Sequence, residues 1–195
     1  MQKLLATAAF AAALIAPVAA QAQAVPPAVV AVVDLERVQS ECAACKVAGS
    51  ALRAQATAQE AREKALVAPL QTEQQSIQTA INALNGKEPD AALQARAKAF
   101  ETKYQQAQQQ AASGREQIQR NQQYIAKQIQ DKLNPIYSQV MQKRGANILV
   151  EVGNTLATSS NIDVTADVLS ALNAVLPTVN TTAPPAPKPS QPQGR

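Results

Sequence analysis

Two stretches that share one periodicity constrain this chain more than anything else in it. Leu35, Val38, Cys42, Cys45, Gly49, Leu52, Ala56, Leu66, Leu70, Ile77, Ala80 and Leu84 fall largely on alternating three- and four-residue steps. Leu93, Ala97, Phe100, Tyr104, Ala107, Ala111, Gly114, Ile118, Asn121 and Ile125 repeat the alternation. That spacing belongs to a coiled-coil seam rather than to a globular helix. Between the stretches lies Asn85-Gly86-Lys87-Glu88-Pro89-Asp90. Asn-Gly suits a left-handed helix cap and Pro suits the first turn of a new helix, so the two helices reverse and pair antiparallel. About fifty residues each way at ~1.5 Å per residue makes a hairpin roughly 75 to 80 Å long, too thin to be a globular domain. Residues 35–144 therefore read as an arm, with its tip at 85–90.

The start of the chain indicates where such an arm would work. Met-Gln-Lys is a short positive segment, Leu4 to Val18 is apolar, and Ala22-Gln23-Ala24 is a small-residue cleavage site. This is the pattern of an export signal over 1–24, cleaved after Ala24, with Ala22 as the alternative site. Neither site precedes a Cys, which argues against a lipid anchor. The apolar run falls short of the ~18 to 20 residues that span a bilayer. The expected location is an exported compartment.

Composition argues against most enzymes. The chain has 0 His, 0 Trp and 2 Cys, which removes imidazole bases, His-dependent nucleophiles and ordinary zinc sites. Its 6 Gly form no phosphate-binding loop. We expect no catalytic residues, no metal and no cofactor. Binding is the expected role.

Outside the arm, Val29 to Val33 reads as a buried strand, Asp34 as an N-cap and Glu36 as a first-turn acid. After Gly145, Asn147 to Val152 reads as a second strand, Gly153-Asn154 as a turn and Thr155-Leu156-Ala157 as a return strand. A short helix follows, with Thr165 as its N-cap, Asp167 at its positive end and Val168, Leu169 and Leu172 on its apolar face. The class is α+β, with a β-rich body at 25–34 and 145–176. Roughly forty to fifty residues are too few to bury a core alone, so the body is expected to be an oligomer with a shared β core. Val29, Val30, Val32, Val33, Ile148, Leu149, Val150, Val152, Leu156, Val168, Leu169 and Leu172 are its candidate residues.

Val33-Asp34-Leu35-Glu36-Arg37-Val38, then the hairpin, then Lys143 to Val150, and finally Asn161-Ile162-Asp163-Val164-Thr165-Ala166-Asp167-Val168-Leu169 together resemble the Skp (OmpH) family of periplasmic chaperones. The likeness spans nearly all of the mature chain up to about Asn173. It implies a homotrimer shaped like a jellyfish, with a small β-barrel body and three helical arms around a cavity. It also implies ATP-independent holding of unfolded outer-membrane β-barrel proteins during transit.

Within that frame, 14 Lys and Arg against 9 Asp and Glu between Glu41 and Arg144 give the arm a net charge of +5, suited to acidic clients or an anionic lipid surface. The arms of relatives are dense in Lys and Glu, whereas Ala and Gln dominate here, as in Gln105 to Ala112. Ala and Gln suit a solvated helix face, and Gln also offers a polar contact surface. Pro69 and Pro135 interrupt the helical pattern and are hinge candidates, with a kink expected at Pro69 and a break or hinge at Pro135. Cys42-Ala43-Ala44-Cys45 admits three readings: a structural disulfide, which an oxidising compartment favours, a pair of buried thiols, or a redox pair, which the absence of a βαβ pattern disfavours. Residues 177–195, rich in Pro, read as a disordered tail. The rival function is an exported coiled-coil spacer or adaptor that docks through its tip. Nucleic-acid binding, suggested by a pI of about 9.2, is not expected of an exported chain with 3% aromatic residues.

Overall fold

In a computed structural model, the chain is described over residues 25–185; the expected export signal at 1–24 and the end of the tail at 186–195 lie outside the described residues. Strand β1 (Val30–Val33) leads into helix α1 (Leu35–Glu41) and long helix α2 (Ala43–Ala83). Helix α3 (Ala91–Arg144) returns to strand β2 (Ile148–Glu151). Two single 3-10 turns, Val152–Asn154 and Ser160–Ile162, lead to helix α4 (Thr165–Val175). No helix among the described residues is long and apolar enough to cross a membrane.

The hairpin forms where the seam periodicity places it. At the tip, Asn85 and Gly86 both take positive φ, 48° and 86°, and the Lys87 N–H closes the turn on the Leu84 carbonyl at 3.0 Å. Helix α3 is capped by Asp90, which accepts from the Leu93 N–H at 2.8 Å. Pro89 therefore precedes the cap instead of sitting in the first turn, because the Asp90 carboxylate satisfies the helix start better than Pro can. At the other end Gly145 supplies the left-handed C-cap at φ 67°.

Both prolines lie within unbroken helices. The break considered at Pro135 is absent. Pro135 points to solvent, where water can take up the carbonyl it leaves free, while Leu133 and Ile136 beside it are buried and hold the helix in place. Pro69 is likewise exposed, and α2 continues through it.

The helix does break at Cys42, whose backbone is non-helical (φ −57°, ψ 124°) and separates α1 from α2. Cys42 and Cys45 form a disulfide across Cα atoms 5.1 Å apart. Asn173 of α4 accepts from the Ala43 N–H at 3.0 Å, which anchors the restarted helix to the body.

β1 and β2 pair in parallel, Val30 opposite Ile148 through Val33 opposite Glu151, with the whole hairpin as their crossover. Asn147 sets this register by accepting from the Val29 N–H at 2.7 Å and donating to the Pro27 carbonyl at 2.8 Å. The return strand at Thr155-Leu156-Ala157 is absent. The Thr155 hydroxyl turns back to the Val152 carbonyl at 2.8 Å, and Leu156 stands wholly in solvent. Thr165 opens α4 as its first residue rather than as its cap. Its N–H is taken by the Asp163 carboxylate at 2.8 Å, and its hydroxyl accepts from the Asp34 N–H at 2.9 Å.

The protomer has a core of its own. Ala31, Val33, Val38, Val164, Val168 and Leu172 of the body join Cys42, Ala48, Ile129, Leu133, Ile136 and Val140 from the arm base in one buried cluster. The arm base supplies much of this core, so the forty to fifty residues of the body do not bury it alone. Val32, Val33, Val168 and Leu172 are thus buried within one protomer, and Leu149 and Leu169 pack against that core.

Candidate functional site

Two surfaces follow from this architecture. The first is one face of the sheet. Alternation turns Ala31, Val33 and Leu149 toward the helices, and Val30, Val32, Ile148 and Val150 to the opposite side. On that side Val32 is buried, but Ile148 is 42% and Val30 38% exposed, and Val29 just before β1 is exposed too. Among the described residues the outer edge of β2 has no partner strand. Uncovered valines and isoleucines beside an open strand edge are features that a folded monomer normally hides.

The second surface is the arm, whose seam changes character along its length. At the base it is apolar, with Ile125, Ile129 and Leu133 buried, and Ile77 is buried toward the tip. The middle is polar. Gln59 is 8% and Asn121 3% exposed; Asn121 donates to Gln55 Oε1 at 2.7 Å and accepts from Gln117 Nε2 at 2.7 Å. Gln59 lies over Gly114, where a Cβ would collide with its carboxamide, so the absence of a side chain at 114 lets Gln59 fill the seam. Glu63 receives a two-pronged bond from Arg115 at 2.9 and 2.7 Å, and Glu73 receives Arg96 at 2.7 Å, tying α2 to α3.

Gln55, Gln59, Glu63 and Glu73 were missed as seam residues because polarity was read as outward. Their positions carried the signal, since Leu52, Gln55, Gln59, Glu63, Leu66, Leu70, Glu73 and Ile77 run in unbroken steps of three and four. Ala56 and Tyr104, assigned to the seam, are exposed instead. The tip residues Asn85 to Asp90 form the turn.

The cross-arm pairs respond to pH in a defined direction. Hydrogen bonding from Arg115 holds the Glu63 carboxyl below the usual glutamate range, and Arg96 does the same for Glu73. A lowered folded pKa means that the ties are complete above the ordinary glutamate value and are lost as pH falls through the lowered one. Labels on the two helices, flanking Glu63 and Arg115, are expected to stay at constant separation from neutral pH down to the ordinary glutamate range and to spread only below it. Spreading at mildly acidic pH would contradict this.

Cys42 is fully buried and Cys45 nearly so, which restricts access by an attacking thiolate. As a structural bridge it closes a loop of only four residues, which limits its contribution to about 2 kcal/mol. Replacing both cysteines with Ala is expected to lower the urea midpoint accordingly and to leave binding unchanged. A redox role would instead abolish function in a folded variant.

The family model described as Outer membrane protein (OmpH-like) matches residues 29–172. The chain belongs to the OmpH-like family. The matched residues run from the first strand through both arms to Leu172 of α4. A crystal structure from Caulobacter crescentus CB15, of a candidate outer membrane chaperone (OmpH-like), superposes with a TM-score of 0.64 at 18% identity, covering 80% of this chain and 90% of that one. That likeness establishes the OmpH-like fold. No curated protein matches the sequence significantly. The family is non-enzymatic, and the chain is not an enzyme.

Proposed function

We propose that this protein is an ATP-independent periplasmic holdase that keeps unfolded outer-membrane β-barrel proteins from aggregating, and that it works as a homotrimer. The observation that carries the reading is a long hairpin with a polar middle, rooted in a body with an uncovered apolar sheet face. Membership of the OmpH-like family and the chaperone description of the Caulobacter protein point the same way. Val29, Val30, Ile148, Val150, Val152 and Leu156 are the residues through which the bodies would join, closing a small β-barrel; the number three comes from the family resemblance.

The physical logic is that of isolation. An unfolded barrel protein exposes strand edges that pair with one another. Arms surrounding one client keep it from meeting a second. Without ATP, release requires many weak contacts, and a solvated surface of Ala and Gln supplies them. The net charge of +5 on the arm favours acidic segments and anionic lipid surfaces. Pro69 and Pro135 are the places where the helices lack a backbone bond and could bend around clients of different size. Export through the signal at 1–24 would deliver the chain to this compartment.

The test is dilution of a urea-unfolded barrel protein into buffer with and without the mature chain, read as turbidity. Suppression that saturates near three chains per client is expected, and precipitation at any ratio would defeat the reading. An adaptor, by contrast, would lose its function when Leu84 and Leu93 at the tip are made polar; a holdase would keep most of its own.

A further inference from the structure

Residues beyond α4 do not trail into solvent as the tail composition suggests. Leu176 is buried and Val179 packs on the body core, and the chain then runs along the arm base to Ala183. Val179, Thr181 and Ala183 are partly buried while Asn180, Thr182 and Pro184 are exposed, the two-residue alternation of an extended strand. The expected disorder from 177 onward is therefore replaced by a docked strap as far as 183.

The strap is held almost wholly by its backbone. Gln128 accepts from the Asn180 N–H at 3.0 Å and donates to the Asn180 carbonyl at 2.8 Å. Its carboxamide pairs with both backbone groups of one residue, as a neighbouring strand would. Asn121 Oδ1 accepts from the Ala183 N–H at 2.8 Å. Gln55 donates to the Thr181 carbonyl at 3.2 Å and also reaches its hydroxyl at 3.4 Å. The bond to that hydroxyl is the one side-chain feature of the strap that these amides read. The amides are also preset, since Asn121 is held between Gln55 and Gln117.

We propose that the cleft between α2 and α3 at Gln55, Asn121 and Gln128 is a binding site for extended polypeptide backbone, filled at rest by residues 179–183 and taken over by a client segment. The proposal rests on the chaperone reading and names a surface for it. Recognition of backbone suits a protein that must accept unrelated sequences. The occupant is an extended segment with apolar or small side chains at alternate positions, as Val179, Thr181 and Ala183 are, and this is also the pattern of an outer-membrane strand. Displacement leaves little unsatisfied, because Asn121 keeps Gln117, and Gln128 keeps the Tyr124 carbonyl at 3.1 Å. A tethered strap competes at an effective concentration on the order of millimolar. It thereby weakens client binding and helps release without ATP.

The test follows backbone hydrogen exchange at Asn180 and Ala183 in the full mature chain, with and without a saturating unfolded barrel protein whose solubility is recorded separately. Client binding is expected to speed exchange at both by about fivefold or more. The variant Asn180→Pro with Ala183→Pro removes both strap donors and leaves the cleft amides intact. It is expected to bind client about three- to tenfold more tightly. A client that stays soluble while the strap amides remain protected, or a variant with unchanged or weaker affinity, would overturn this proposal alone. A client that precipitates would overturn the chaperone reading and this site with it.

Discussion

Replacing Val30 and Ile148 together with Asp is expected to leave a folded protomer that no longer assembles. Both side chains are more than a third exposed within the protomer and contribute little to its core, so solvation of the new charges costs the isolated chain little. Any assembly that covers the open sheet face would bury two unpaired carboxylates per subunit. Burying an unpaired charge costs several kcal/mol even after relaxation, and each ~1.4 kcal/mol is tenfold in the association constant. Light scattering should then report a monomer at concentrations where the parent is expected to be a trimer, while the helical circular dichroism signal is kept. A variant that still runs as the parent would show that this face does not hold the subunits together.

The second large effect belongs to Leu172. It is fully buried between α4 and the arm base, in the cluster with Val168, Val38 and Leu133. Leu172→Ala removes the side chain that closes the body onto the root of the arm, and is expected to cost about 2 to 5 kcal/mol. That is a large share of a typical ~5 to 15 kcal/mol of stability. Urea unfolding should show a marked fall in midpoint with an unchanged slope. Val175→Ala, on the exposed side of the same helix, is the control and should shift the midpoint by no more than about 0.5 kcal/mol. Equal effects at the two positions would mean that α4 does not close the core in this way.

The parts of this molecule that were legible in its sequence are those where a local rule and the tertiary environment agree. The hairpin follows from the seam spacing and from Asn85-Gly86. The strands follow from Val29 to Val33 and Asn147 to Val152, and Asp34 caps α1 as its chemistry suggests, accepting from the Arg37 N–H at 2.8 Å. What escaped was decided by distant partners. Helix α1 ends at Cys42 because a disulfide and the Asn173 side chain reorganise that turn. Thr155 to Ala157 stays irregular because β2 pairs with β1, 118 residues away, and nothing local offers a second edge. The strap was read as disordered because Pro-rich composition says nothing of three amides waiting on the arm. The polar seam was hidden for the same reason: a Gln that bonds an Asn across the hairpin, as Gln55 does Asn121, looks in sequence like any solvated Gln.

The lower arm is thus joined by three means of different strength. An apolar cluster locks the base, amides and ion pairs hold the middle, and the strap lies across both helices between them. Charged ties such as Arg144 and Lys143 with Asp167, at 2.6 and 3.4 Å, secure α4 to the end of α3. Because solvent reaches these groups, their contribution is modest.

The most direct test of the account is the mass of the mature protein by light scattering after size exclusion, alone and after a urea-unfolded outer-membrane barrel protein has been diluted into it. The account predicts a trimer that gains the mass of one client and remains soluble. A trimer that leaves the client to precipitate, or a monomer in either condition, would contradict it.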